Sequence, residues 1–205
     1  MLDEKRINNL VELTGTLGGR PILSHVSRDE KYYVFPLEVR RLSGAVDTLN
    51  IMARQELLCQ TELTAQPKIS VRGELRSFNN KTGSGSRLVI TVFARTISLT
   101  EGPDVNQVTL SGAICKPPTL RRTPMGREIC DLMLAISRRY GRSDYLPCIS
   151  WGQNAAEAGT FPVGTALTLS GRLQSRAYIK QESGRALEKT AFEVSVVTQE
   201  TGLAL

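Results

Sequence analysis

The sequence predicts an all-β chain made of two five-stranded barrels in tandem, each with a short helix between its third and fourth strands. Three observations predict it: an internal repeat, the count and order of short alternating strands in each copy, and the position of one helical stretch. The repeat carries the most information. NLVELTGTLGGRP begins at Asn9 and NQVTLSGAICKPP at Asn106, 97 positions later. At that offset Val11 matches Val108, Leu13 matches Leu110, Gly15 matches Gly112 and Pro21 matches Pro118. Farther on, Leu37, Arg41, Gly44, Asp47 and Leu49 match Leu134, Arg138, Gly141, Asp144 and Leu146. After a one-residue slip, RGELRS at 72–77 matches SGRLQS at 170–175. A register kept over so many separate segments means two copies of one fold. The turn sequence Glu101-Gly102-Pro103-Asp104 joins them, so the expected domains are 1–102 and 103–205.

Each copy repeats one order of elements. A short alternating strand (VELTG, VTLSG) leads into a proline-containing loop. In the second strand Phe35, Leu37 and Val39, like Leu132, Leu134 and Ile136, alternate with the other face. A glycine turn (LSGAVD, YGRSD) leads to the third strand (TLNIMA, YLPCISW). A helical stretch follows (RQELLCQTEL, GQNAAEAG), then a fourth strand at ISVRGELRS or LTLSGRLQS. A polar, glycine-containing hairpin loop and a fifth strand complete the copy. Five strands with one helix between the third and fourth is the element order of an OB-fold barrel. A β-sandwich would need about seven strands and no internal helix.

Composition narrows the function. Hydrophobic residues make up 40% and charged residues 22%, which is ordinary for a soluble globular protein. The net charge of +6 favours a polyanionic partner. Residues 1–102 carry 14 Lys and Arg against 11 Asp and Glu, and residues 103–205 carry 12 against 9, so each half is +3. Charge alone therefore assigns binding to neither half. There is no apolar run long enough for a membrane span and no signal-peptide pattern at the N-terminus, so a cytoplasmic location is expected. In that setting the sequon Asn80-Lys81-Thr82 is silent.

Cys59, Cys115, Cys130 and Cys148 lack the paired spacing of a zinc site, and His25 is the only histidine. They are expected as reduced thiols. With one histidine there is no Ser-His-Asp arrangement and no metal cluster, so neither an enzyme nor a cofactor is expected.

The second copy reads VTLSGAICKPPTLRRTPMGREICDLMLAISRR, then CISWGQNAAEAG, then GTALTLSGRLQSRAY. Through these segments it resembles, over about 106–198, the bacterial single-stranded DNA-binding (SSB) family. The resemblance implies that single-stranded DNA lies across the barrel with bases stacked on aromatic side chains, here Tyr140, Tyr145, Trp151 and Tyr178. Tyr145 and Trp151 share parity on one strand, and Trp151 is the single tryptophan. Aromatic residues on strands are more often core, but these four lie among arginines. Arg138, Arg139 and Arg142 flank Tyr140, and Arg172 and Arg176 share parity with Tyr178. Loop 119–127 adds Arg121, Arg122 and Arg127, and loop 176–189 adds Lys180, Arg185 and Lys189. In OB folds such loops flank the binding groove.

The first copy departs from the pattern. The positions equivalent to Tyr140, Tyr145, Trp151 and Tyr178 hold Ser43, Thr48, Arg54 and Asn80, with Phe78 nearby. Tyr32, Tyr33, Phe35 and Phe93 are expected in its core. Two readings stay open for this copy, weak DNA binding through Arg54, Arg72, Arg76 and Lys81 or service mainly as a pairing or partner surface, and a supporting role is expected. KTGSGS lacks the spacing of a phosphate-binding loop and reads as a flexible tip.

The resemblance further implies a homodimer, giving four OB folds, and replication, recombination or repair proteins as partners. The chain stops soon after its last strand, at VSVVTQETGLAL, so recruitment through an acidic tail is not expected. The competing readings are a primosome-like adaptor that keeps the scaffold without strong nucleic-acid binding, and an RNA-binding protein.

Overall fold

The computed structural model describes residues 8–61, 66–80, 88–182 and 185–202, without the side chains at 180–182, 185, 187 and 188. The KTGSGS tip, Lys81 and the end of the first helical stretch lie outside the described residues. In the first copy the strands are β1 (Asn9–Leu17), β2 (Ile22–Ser27), β3 (Glu30–Arg40), β4 (Val46–Arg54), β5 (Lys68–Asn79) and β6 (Leu88–Leu99). Helix α1 (Gln55–Cys59) lies between β4 and β5. The second copy follows as β7 (Val105–Ile114), β8 (Thr119–Arg122), β9 (Glu128–Ser137), β10 (Ser143–Trp151), α2 (Gln153–Ala158), β11 (Ala166–Glu182) and β12 (Arg185–Thr201).

These strands form one sheet in the order β2-β3-β4-β6-β5-β1-β7-β11-β12-β10-β9-β8, which is palindromic about β1 and β7. Each half closes on itself, β1 pairing with β3 and β7 with β9. The third and fifth barrel strands run parallel, β4 beside β6 and β10 beside β12. Each half is therefore a five-stranded OB barrel with a short helix between its third and fourth strands.

Closure explains the matched glycines. A side chain on Gly15 would collide with the Glu38 carbonyl of β3, and one on Gly112 with the Ala135 carbonyl of β9. Alternation fills each barrel: Leu13, Leu37, Leu49, Ile51 and Leu75 in the first, Leu110, Leu134, Leu146, Leu169 and Leu173 in the second, all within 2% of fully buried. Among the described residues the four cysteines are free thiols, and burial pushes the Cys148 thiol up to about 12.

The structure corrects the loops. The proline-containing loops hold short extra strands: β2 pairs with β3, and β8 pairs with β9 across the expected loop 119–127. Both are exposed at every residue, so backbone pairing holds them where no buried face could signal them. The expected loop 176–189 is mostly a β-ribbon, paired from Arg176↔Ala191 to Glu182↔Arg185.

The two barrels meet along a local two-fold axis. β1 and β7 run antiparallel, and Val11 pairs with Val108, its own repeat equivalent. Buried Asp47 takes Arg41 at 2.5 Å and the Ser175 N–H at 2.9 Å. Its equivalent Asp144 takes Arg138, Arg76 and, at 2.7 Å, the Ser77 N–H. Each carboxylate is fully buried, and each reaches into the other barrel.

Candidate nucleic-acid interface

Burial of Asp144, Leu146 and Cys148 on one side of β10 turns Tyr145 and Trp151 to the other, where they are 50% and 38% exposed. The Trp151 indole N–H donates to Ser195 Oγ at 3.2 Å, which orients the ring against β12. Ser195 in turn sits opposite Arg172 of β11. Tyr140 occupies the turn between β9 and β10 with φ 63° and a ring that is 96% exposed. That left-handed backbone costs a residue other than glycine about 1–2 kcal/mol. Tyr178 is half-buried, with the Arg176 guanidinium 5.9 Å from its ring centroid.

The arginines divide by their partners. Arg121 grips Asp131 with Nε at 2.5 Å and Nη2 at 3.0 Å, and this hydrogen bonding raises its pKa. Arg122 meets Glu128 at 3.0 Å. Arg138 is bound to Asp144 and donates to the Ser77 carbonyl at 3.1 Å, a structural task at the seam. Arg176 is 3.8 Å from Glu193, whose carboxylate also accepts from Gln174 at 2.8 Å. Arg139, Arg142 and Arg172 are exposed and make no ion pair with a described carboxylate. Lys180 lies on β11, its side chain outside the described residues.

The first barrel overturns one expectation. Phe35 is core at 1% exposure, but Phe93 is half-buried and lines an open groove of about 550 Å³. Tyr32 lies beside it, 6.1 Å between ring centroids, and His25 stacks on Tyr32 at 4.8 Å with the rings 6° from parallel. Arg95 covers the other ring, 5.0 Å from the Phe93 centroid. Phe78 lines the same groove and is 47% exposed. The sequence carried a signal in the alternation of β6, where Ile90, Val92 and Ala94 take the buried side and leave Phe93 on the other face with Arg95.

The single-strand binding protein family model matches residues 105–201, the span from the start of β7 to the end of β12. Single-stranded DNA-binding protein B of Bacillus subtilis is 32% identical over 84 residues, 38% of this chain and 74% of that protein. The chain belongs to the single-strand binding protein family. Single-stranded DNA-binding protein A of Bacillus subtilis is 32% identical over 88 residues, 40% of this chain and 51% of its own length. The chain spans 51% and 61% of the first curated relatives it matches, so family membership rests on a barrel and not on their full lengths. The wild-type single-stranded DNA binding protein from Thermus aquaticus shares the fold of both barrels. It aligns with 96% of this chain and 93% of its own at TM-score 0.77 and 23% identity. Among the described residues no helix is long and apolar enough to cross a membrane.

Proposed function

We propose that this protein binds single-stranded DNA without catalysis and largely without regard to sequence. The observation that carries the reading is the outer face of the second barrel. Tyr140, Tyr145 and Trp151 are all exposed there, beside the cations Arg139, Arg142 and Arg172, which pair with no described carboxylate. Stacking suits any base, because every base has a π-face, and each contact is worth about 1–3 kcal/mol. Arginines at the phosphates release counterions, so affinity falls as salt rises. Tyr178, Arg176, Arg121, Arg122, Arg138 and Lys180 complete the proposed face, the paired arginines contributing mainly through shape.

Such binding keeps strands out of the pairing equilibrium during replication, recombination or repair, in the cytoplasm. By family resemblance the chain forms a homodimer with four barrels and meets replication or repair proteins. A strict monomer in light scattering at micromolar concentration would contradict that assembly.

The single tryptophan supplies the test. Titration with oligo-dT should quench Trp151 emission strongly at low salt and weakly at high salt. Trp151→Ala should weaken binding by about 1–3 kcal/mol without unfolding the protein. Unchanged emission together with no gel retention of the oligonucleotide would favour the adaptor reading instead.

A further inference from the structure

We infer that the first barrel carries its own single-strand platform, in which the stacking surface has moved to neighbouring strands. The inference rests on the proposed function and adds residues that the family pattern does not supply. Where the second barrel places Trp151, the first has Arg54. Where the second barrel's β12 has Ser195 under that indole, the first has Phe93 on β6. Opposite Arg54 on β3 stands Tyr32, where Ile129 stands opposite Trp151. A cation has taken the ring's place on β4, rings stand on the neighbouring strands β3 and β6, and Glu74 stands where the second barrel has Arg172.

The groove carries the charge that a phosphate chain needs. Arg54, Arg76, Arg95 and Arg138 line it, and no described lining residue is acidic. Their carboxylate partners, Glu30, Glu74 and Asp144, lie outside the lining, and three acids leave four guanidiniums with surplus positive charge. Phe78 presents an exposed π-face, and Phe93 a half-buried ring capped by Arg95; neither has a polar group of its own, which suits bases and not a specific hydrogen-bonded ligand.

Continuity argues for the same occupant as the second barrel. Ser77 lines this groove, and its Oγ accepts the Tyr145 N–H at 2.7 Å. Arg138 lines it too, one residue before the turn that displays Tyr140. One strand can therefore leave Tyr140 and Tyr145, cross the seam at Ser77 and Arg138, and continue over Phe78 and Phe93.

The test compares oligo-dT of about 12 nucleotides, a length one OB barrel covers, with oligo-dT of about 30. Wild type should bind the longer strand far more tightly. Phe78→Ala, at an exposed position, should leave short-strand quenching of Trp151 unchanged and cut the length-dependent gain about tenfold. Ultraviolet crosslinking of the unmodified protein should give thymine adducts at Phe78 or Phe93 with the longer strand only, a readout independent of any variant's folding. Normal short-strand quenching with an undiminished length gain and no adducts in the first barrel would overturn this inference alone. Absence of short-strand quenching would sink the parent reading and this one with it. Phe78-dependent binding of poly-glutamate in place of the longer strand would replace the occupant with an acidic protein.

Discussion

At Tyr140 a large aromatic side chain sits in the left-handed region at 96% exposure, supported by no core contact. Backbone strain of this kind persists where the surroundings fix it, and it gathers at functional sites. Replacement separates the ring from the strain. Tyr140→Ala removes the ring and keeps the strain, whereas Tyr140→Gly removes both. Oligo-dT affinity should fall alike in the two variants, while urea unfolding should find the glycine variant more stable by about 1 kcal/mol. A glycine variant less stable than the alanine one would show that this backbone is not strained. The aromatic positions were legible in the sequence because β10 spaces Tyr145 and Trp151 by an even number. The partners of the arginines were not. Asp131 is ten positions from Arg121, and Asp144 reaches Arg76 from another barrel, 68 positions away. Only the folded register brings these charges together.

Among elements, the barrel strands were legible and the added hairpins were not, for one physical reason. A strand betrays itself through alternating burial, as β9 does with Leu132, Leu134 and Ile136. The side chains of β2 and β8 have no buried side, and the ribbon of β11 and β12 continues past the core. The glycine match at 15 and 112 was visible as a repeat but not as a closure point. Gly112→Ala should force β7 and β9 apart and cost about 1–3 kcal/mol in urea unfolding. Gly202→Ala, where no described atom lies within 4 Å of the new methyl group, serves as the control and should change little.

For the whole molecule, the seam between barrels depends on two buried carboxylates. Asp144 answers two arginines and the Ser77 amide, while Asp47 answers one arginine and the Ser175 amide. Removing one partner of a buried pair strands the other, so Asp144→Asn should destabilise the protein by about 2–4 kcal/mol, discounted for the partly solvated arginines. Hydrogen exchange at the Ser77 and Tyr145 amides should accelerate with it. Unchanged protection there would show that the β1–β7 ladder alone holds the barrels together.

That ladder also bears on how the two halves came to differ. In an assembly of identical single barrels every substitution appears twice, once on each side of the axis. Here the halves sit on one chain, with Val11 and Val108 facing across the axis. An arginine can replace a tryptophan on one side while the tryptophan stays on the other. The tandem chain frees its two faces from symmetry, so one can specialise without the other having to follow.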